Sequence, residues 1–434
     1  MKHFWTIACL FVLPTTLSAE DWPQWGGVQR DLIWREDGIV DKLPTDGMLP
    51  RVWSTPLGEG YAGPAVADGK VFVMDFQRDG DSQAGNERVV CLDAESGEIL
   101  WTHAYPVAYS ISYPHGPRAT PTVDEDRVYT VGAMGHLFCL DVNSGEVLWK
   151  KDYVEDFATR LPIWGMASPP LIDGDQLIAL VGGQGALLVS FNKKTGEELW
   201  RVHHDHYVGY CPPVILEFGG QRQLICWHPN AISAHKPENG DLLWQVPYKV
   251  QAGMSIATPR KLGDRLLVSS FYNGARMLKV SADSAELLWQ SEGGTEITTD
   301  KLHSLMCTPI FKEEAIYGVD SYGQLRGLDP DTGERLWETL KATGEGRWWN
   351  AFIIPHHPGG DASQERFFIH NEQGELIIAN LSPSGYEELS RGLLVEPTRP
   401  VKRRMTIWSH PAFAMQSVFA RNDKEIVRVS LKAE

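Results

Sequence analysis

Apolar and polar residues alternate along much of this chain in short runs, which is the two-residue period of a half-buried β-strand. V-F-V-M-D-F at 71–76, R-V-V-C-L-D at 88–93 and H-L-F-C-L-D at 136–141 have this character and are rich in β-branched and aromatic side chains. Turn sequences such as A-D-G-K and A-E-S-G-E separate them, with no helical period between. The pattern then recurs. Trp101, Trp149, Trp200, Trp244, Trp289 and Trp337 follow one another at intervals of 48, 51, 44, 45 and 48 residues. Each closes a segment like V-V-C-L-D-A-E-S-G-E-I-L-W, with Gly97, Gly145, Gly196, Gly240, Ala285 or Gly333 four residues before it and an acidic residue next.

Each copy reads as two strands joined by a tight turn whose glycine supplies φ > 0. A second hairpin lies upstream of each, as in P-A-V-A-D-G-K-V-F-V-M-D-F at 64–76. Four antiparallel strands per repeat of this length is the arithmetic of a propeller blade. A seventh copy keeps Gly385 but has Leu389 where the Trp would stand. The stretch 410–431 supplies three strands of an eighth, and an isolated strand holding Trp53 lies 48 residues before Trp101. The prediction is an all-β, eight-bladed β-propeller of four-stranded antiparallel blades, one domain over 20–434, with the ring closed by the N- and C-terminal strands.

The repeated D-x-x-[ST]-G-[ED]-x-[LI]-W stretches and the opening D-W-P-Q-W-G-G resemble the eight-bladed propellers with pyrroloquinoline-quinone-like (PQQ-like) repeats over roughly 22–434. That family includes exported, BamB-like propellers and the propeller of quinoprotein alcohol dehydrogenases. The resemblance implies that Trp53, Trp101, Trp149, Trp200, Trp244, Trp289 and Trp337 dock neighbouring blades, each ring over the next turn and each indole N–H bonded to backbone. They are not cofactor ligands.

Residues 1–19 read as a secretory signal: Lys2 and His3 give a positive start, Phe4–Leu13 is a short apolar core, and Ser18-Ala19 ends it. The expected location is the periplasm or the exterior, as a monomer with no transmembrane segment. Forty Lys and Arg against 56 Asp and Glu leave a net charge of −16, which disfavours nucleic acid as a partner. Five cysteines follow the signal, so at least one thiol is free, and none has zinc spacing.

The strand order places the long, side-chain-rich connections from each outer strand to the next inner strand on one face. Function concentrates on such loops. Their last residues put Tyr61, His115, Arg118, Trp164, Tyr210, His303, Trp348, Trp349, Arg404, Trp408 and His410 near the central channel as candidate binders. His204 and His206, in H-H-D-H at 203–206, could ligate one ion, and V-K-R-R at 401–404 is a basic island. No nucleophile elbow, Walker loop or zinc-protease motif is present. The expected function is an exported, non-catalytic binding or scaffold propeller of the cell envelope, with a protein or polysaccharide partner on the long-loop face and no cofactor. One alternative is a PQQ- and calcium-dependent dehydrogenase, for which Asp300 and Asp156 would be the available bases. Another is a carbohydrate-binding or carbohydrate-cleaving propeller using Trp164, Trp348, Trp349 and Trp408.

Overall fold

A computed structural model describes residues 20–433, with 203, 204, 206 and 294 excepted. The expected signal segment and the H-H-D-H histidines lie outside the described residues. Eight four-stranded antiparallel sheets form the propeller. Seven are built from consecutive strands; the first, for example, comprises Ala65–Ala67, Lys70–Arg78, Ala84–Asp93 and Ile99–Ala108. In the eighth, Ala412–Ala414, Ser417–Arg421 and Glu425–Ser430 take Arg51–Pro56 as their outer strand, so both ends of the chain share one blade. This is the predicted closure.

The repeat motif has a local cause. Asp93 Oδ1 accepts the backbone N–H groups of Glu95 and Ser96 and the Ser96 hydroxyl, at 2.8–3.0 Å, which closes the turn before Gly97. Asp141, Asn192 and Asp329 cap the equivalent backbone N–H groups. The glycine that follows is left-handed in each, for example φ +72° at Gly145. A β-carbon on Gly145 would lie 2.5 Å from the Trp101 ring of the preceding blade. Conformation and contact therefore both require glycine there.

The Trp residues sit at the seams as the resemblance implies, with one correction. Trp53, Trp101, Trp149, Trp289 and Trp337 donate at 2.8–3.1 Å to a carbonyl in the next blade's turn. Trp200 and Trp244 instead donate to the side chains of Gln176 and Gln223 in their own blades. Those glutamines pass the bond on, from Gln176 Nε2 to Pro237 O and from Gln223 Nε2 to Ser281 O. In all eight blades the register slips by one residue just before the Trp position, as between the pairs Cys91↔Trp101 and Leu92↔Ile99. The bulge explains why I-L-W does not alternate: Ile99 and Leu100 both face solvent while Trp101 turns inward.

Residues 20–50 form a strap across the ring. Trp22 pairs with Val66, Pro23 O accepts from Val123, and Trp34 pairs with His356, so the strap reaches inner strands of the first, second and seventh blades. Arg30 donates to the carbonyls of Pro170 and Pro213, where the third and fourth inner strands begin. A segment touching blades on all sides must cross the axis. Seven of the eight inner strands are preceded by proline (64, 121, 170, 213, 259, 309 and 411), which removes a donor from an edge that faces the channel. All five described cysteines are free and buried. Among the described residues no helix is long and apolar enough to cross a membrane.

Candidate functional site: the mouth of the channel

Above the strap the channel opens into a cavity of about 250 Å³. Every one of the eight connections between blades contributes to its wall, among them Tyr61, Tyr113, Trp164, Tyr210, Trp348 and Trp408. Met254, Ile256, Leu305 and Met306 make one side purely apolar, and Trp25 comes from the strap. The rings are in mutual contact: Tyr61 stacks on Trp408 at 6.4 Å, and Tyr113 lies 6.1 Å from Trp408 and 6.5 Å from Trp348.

Of the residues the sequence singled out, Tyr61, Arg118, Trp164, Tyr210, Trp348, Trp408 and His410 surround this cavity. Four do not. His115 sits beside Glu59 at 3.4 Å, next to Arg78. His303 is fully buried, with Nδ1 3.1 Å from Phe271 O. Trp349 turns away from its neighbour Trp348 and packs against Gly344, where a β-carbon would lie 2.5 Å from its ring. Arg404 is tied to Glu372 and lies over Trp349. Trp348 sits in a turn with a left-handed backbone, φ +72°, and the chain reverses there, so the Trp348 ring enters the channel while the Trp349 ring goes the other way. Asp300 and Asp156 are also elsewhere: the first accepts from Glu292 N and Gly293 N, the second from Asp152 N.

Sequence reasoning missed Trp25, Tyr113 and Tyr272. Tyr272 lies on the connection between Arg265–Ser270 and Gly274–Val280, which shares the mouth's face. The two-strand hairpin Arg399–Val401 and Arg404–Thr406 also rises beside the cavity, carrying the basic island at its tip. Lys402 lies 4.5 Å from the centre of the Trp348 ring, and Arg403 is exposed.

The polar groups of the wall are few. His410 Nε2 lies 2.7 Å from Thr120 Oγ1 and its Nδ1 3.0 Å from Pro411 O. Nδ1 therefore carries the hydrogen, because a carbonyl can only accept, and Thr120 donates to Nε2. Burial pulls this imidazole down to about 4, so it is neutral at pH 7. Burial pushes the Tyr210 hydroxyl up to about 12. Burial also lowers Arg118, though not out of its charged form.

The family model for the outer membrane protein assembly factor BamB matches this chain over residues 36–110, 85–339, 187–385 and 228–425. The chain belongs to that family. Among solved structures, BamB from Moraxella catarrhalis is similar at 15% identity and TM-score 0.58, covering 89% of this chain and 99% of its own. Quinohemoprotein alcohol dehydrogenase from Comamonas testosteroni is similar at 14% identity and TM-score 0.60, covering 95% and 81%. These likenesses are of fold. No curated protein matches the chain.

The quinone and calcium of the dehydrogenase alternative need a particular donor set. Calcium takes six to eight oxygens, several of them carboxylate. Among the described residues the cavity wall holds no Asp or Glu. On the same face Glu59, Glu296, Glu372 and Asp423 are each held by an arginine. Arg78 and His115 hold Glu59 down to about 2 against the upward push of burial. Among the described residues no group of three or more His, Cys, Asp and Glu is placed to hold a metal. The residues present do not fit a calcium-bound quinone.

Proposed function

We propose that this chain is an exported binding propeller of the cell envelope that grips a protein or polysaccharide partner at the mouth of its channel. One observation carries the reading: all eight blade connections converge on a single open cavity whose wall is aromatic and apolar. Rings on a rigid scaffold offer large contact area at low conformational cost. Family membership supports an envelope role, because the matched family is that of an outer membrane assembly factor. The basic hairpin tip adds a cationic edge to a chain of net charge −16.

The test is retention of fractionated envelope protein and polysaccharide on the immobilised chain, beside its Trp164→Ala variant. Trp164 is half-buried on Tyr210, with ring centres 5.6 Å apart, so its removal should cost at most about 1 kcal/mol of stability. Retention by the parent chain that drops at least tenfold in the variant is the expected result. Equal retention by both would remove the mouth as the binding surface. Mass measurement of the chain recovered from the periplasm tests the export reading; loss of residues 1–19 is expected.

A further inference from the structure

We infer that the cavity seats a six-membered ring bearing one carboxylate, with that carboxylate on Arg118. The inference rests on the reading of the mouth as a binding site and specifies what enters it.

Arg118 differs from four other buried or partly buried arginines of this face. Arg78, Arg347, Arg399 and Arg404 are paired with Glu59, Glu296, Asp423 and Glu372 respectively. Arg118 has no carboxylate within 4 Å among the described residues, although it lines the cavity. It donates to three backbone carbonyls instead: Nη1 to Gly116 O at 2.6 Å, and Nη2 to Ser112 O at 3.2 Å and Tyr113 O at 2.5 Å. A guanidinium has five N–H donors, so two remain. A permanent charge in an apolar wall is costly unless an opposite charge meets it. The buried Glu87 carboxylate, held by Tyr105 and Tyr109, acts on Arg118 from beyond 4 Å, and the cavity gives an anion room to meet the guanidinium directly.

A second group points the same way. Tyr61 lies between two guanidinium groups, with Arg118 4.7 Å and Arg399 3.7 Å from its ring centre. Its hydroxyl is closed off from the cavity and lies against the Arg399 guanidinium. What Tyr61 offers the cavity is its ring, which steadies the Arg118 guanidinium lying over it. The rest of the wall is apolar and aromatic, and it suits a flat face. A dry cavity of about 150 Å³ holds benzene, so about 250 Å³ takes one six-membered ring with its substituents. One unpaired arginine matches one carboxylate. At the rim, Lys402 and Arg403 add attraction for an anion within a Debye length of about 8 Å.

Two sources share this chemistry: the uronate unit of an acidic glycan, and a free aromatic acid. The experiment titrates the full mature chain with digalacturonate against its neutral counterpart galactobiose, and with benzoate against benzyl alcohol. Tryptophan fluorescence and calorimetry are the readouts. An acid should bind about tenfold or more tightly than its neutral counterpart, as expected of a charge-assisted hydrogen bond. That preference should weaken with salt, vanish in Arg118→Gln and survive in part in Arg118→Lys. Whichever pair shows it identifies the source. Arg118 also anchors its own loop, so circular dichroism and the Arg118→Lys variant separate lost charge from lost fold. Neutral counterparts binding as tightly as the acids would overturn the inference and leave the binding site standing. No binding by any of the four probes would overturn the inference; only equal envelope retention by Trp164→Ala speaks against the binding site itself.

Discussion

The seam between the first two blades and the mouth of the channel are built on opposite principles. At the seam, Trp101 lies over Gly145 and donates to Val142 O, and the same arrangement recurs around the ring with small variations. At the mouth, the eight connections contribute eight different sets of side chains, from Tyr61 on one to Trp164 and Trp348 on others. A contact that every copy must make is written into every copy, because each blade can bury its face only against the next. The mouth is where the copies are free to differ, and a single asymmetric cavity results. The third and fourth blades stand between these extremes, since their seams keep the Trp but insert a glutamine between indole and neighbouring carbonyl.

The largest expected effect comes from breaking a seam. Gly145→Val puts a β-branched residue at φ +72° and a β-carbon into the Trp101 ring. A loss of about 3 kcal/mol or more is expected from denaturant midpoints, with ligand binding retained below the transition. A loss under about 1 kcal/mol would mean the seam is softer than its geometry.

Acid should separate the two regions next. Burial lowers His356, His370 and His410, of the last two blades, to about 4. The unfolded chain takes up those protons near pH 6.5 and the folded one near 4. Their contribution is therefore complete above about pH 6.5 and is lost as pH falls from 6.5 to 4. The turn carboxylates Asp93, Asp141 and Asp329 are held below the usual range: by serine bonds at Asp93 and Asp141, and at Asp329 by threonine bonds that outweigh burial. Their contribution is lost only at lower pH, below about 3.8 and through their folded values. Urea midpoints followed from pH 7 downward should fall first in the histidine window, and His370→Gln should flatten that first step. An unchanged first step would show that these imidazoles are not buried neutral.

A smaller effect distinguishes relayed seams from direct ones. Gln223→Leu leaves the Trp244 N–H and the Ser281 carbonyl without their partners, at a cost of about 1–3 kcal/mol. Adding Trp244→Phe should then cost less than it does alone, since its donor has already lost its acceptor. Strict additivity would show the relay to be incidental. The Trp164→Ala variant should shift stability least of all, which marks the mouth as a place where binding can change without the fold.

How far the sequence could be read follows from the same contrast. The turn Asp, the turn Gly and the Trp recur at fixed spacing, so the blade count is visible in one dimension, and closure follows from the strands left over at the two ends. The bulge before each Trp was hidden, because two apolar residues in succession look like a broken alternation until Leu100 is seen facing solvent. Seven of the eleven candidate binders reach the cavity because each ends a connection above an inner strand. His115, His303, Trp349 and Arg404 carry the same residue types at similar positions but spend them on neighbours. Trp25 gave no signal, since nothing in D-W-P-Q-W-G-G says that this segment crosses the axis and lies beneath loops more than a hundred residues away.

The amino-acid order by itself determined eight sheets and their seams, because those interactions are repeated and short in range, and it implied the closure of 51–56 on 425–430 because one outer strand is left over at the start and three strands at the end. Only the tertiary structure decided which side chains share the channel mouth, which arginine there lacks an acid, and that the strap forms its floor. Those outcomes depend on side-chain direction and on contacts between segments far apart in the chain, which spacing does not encode.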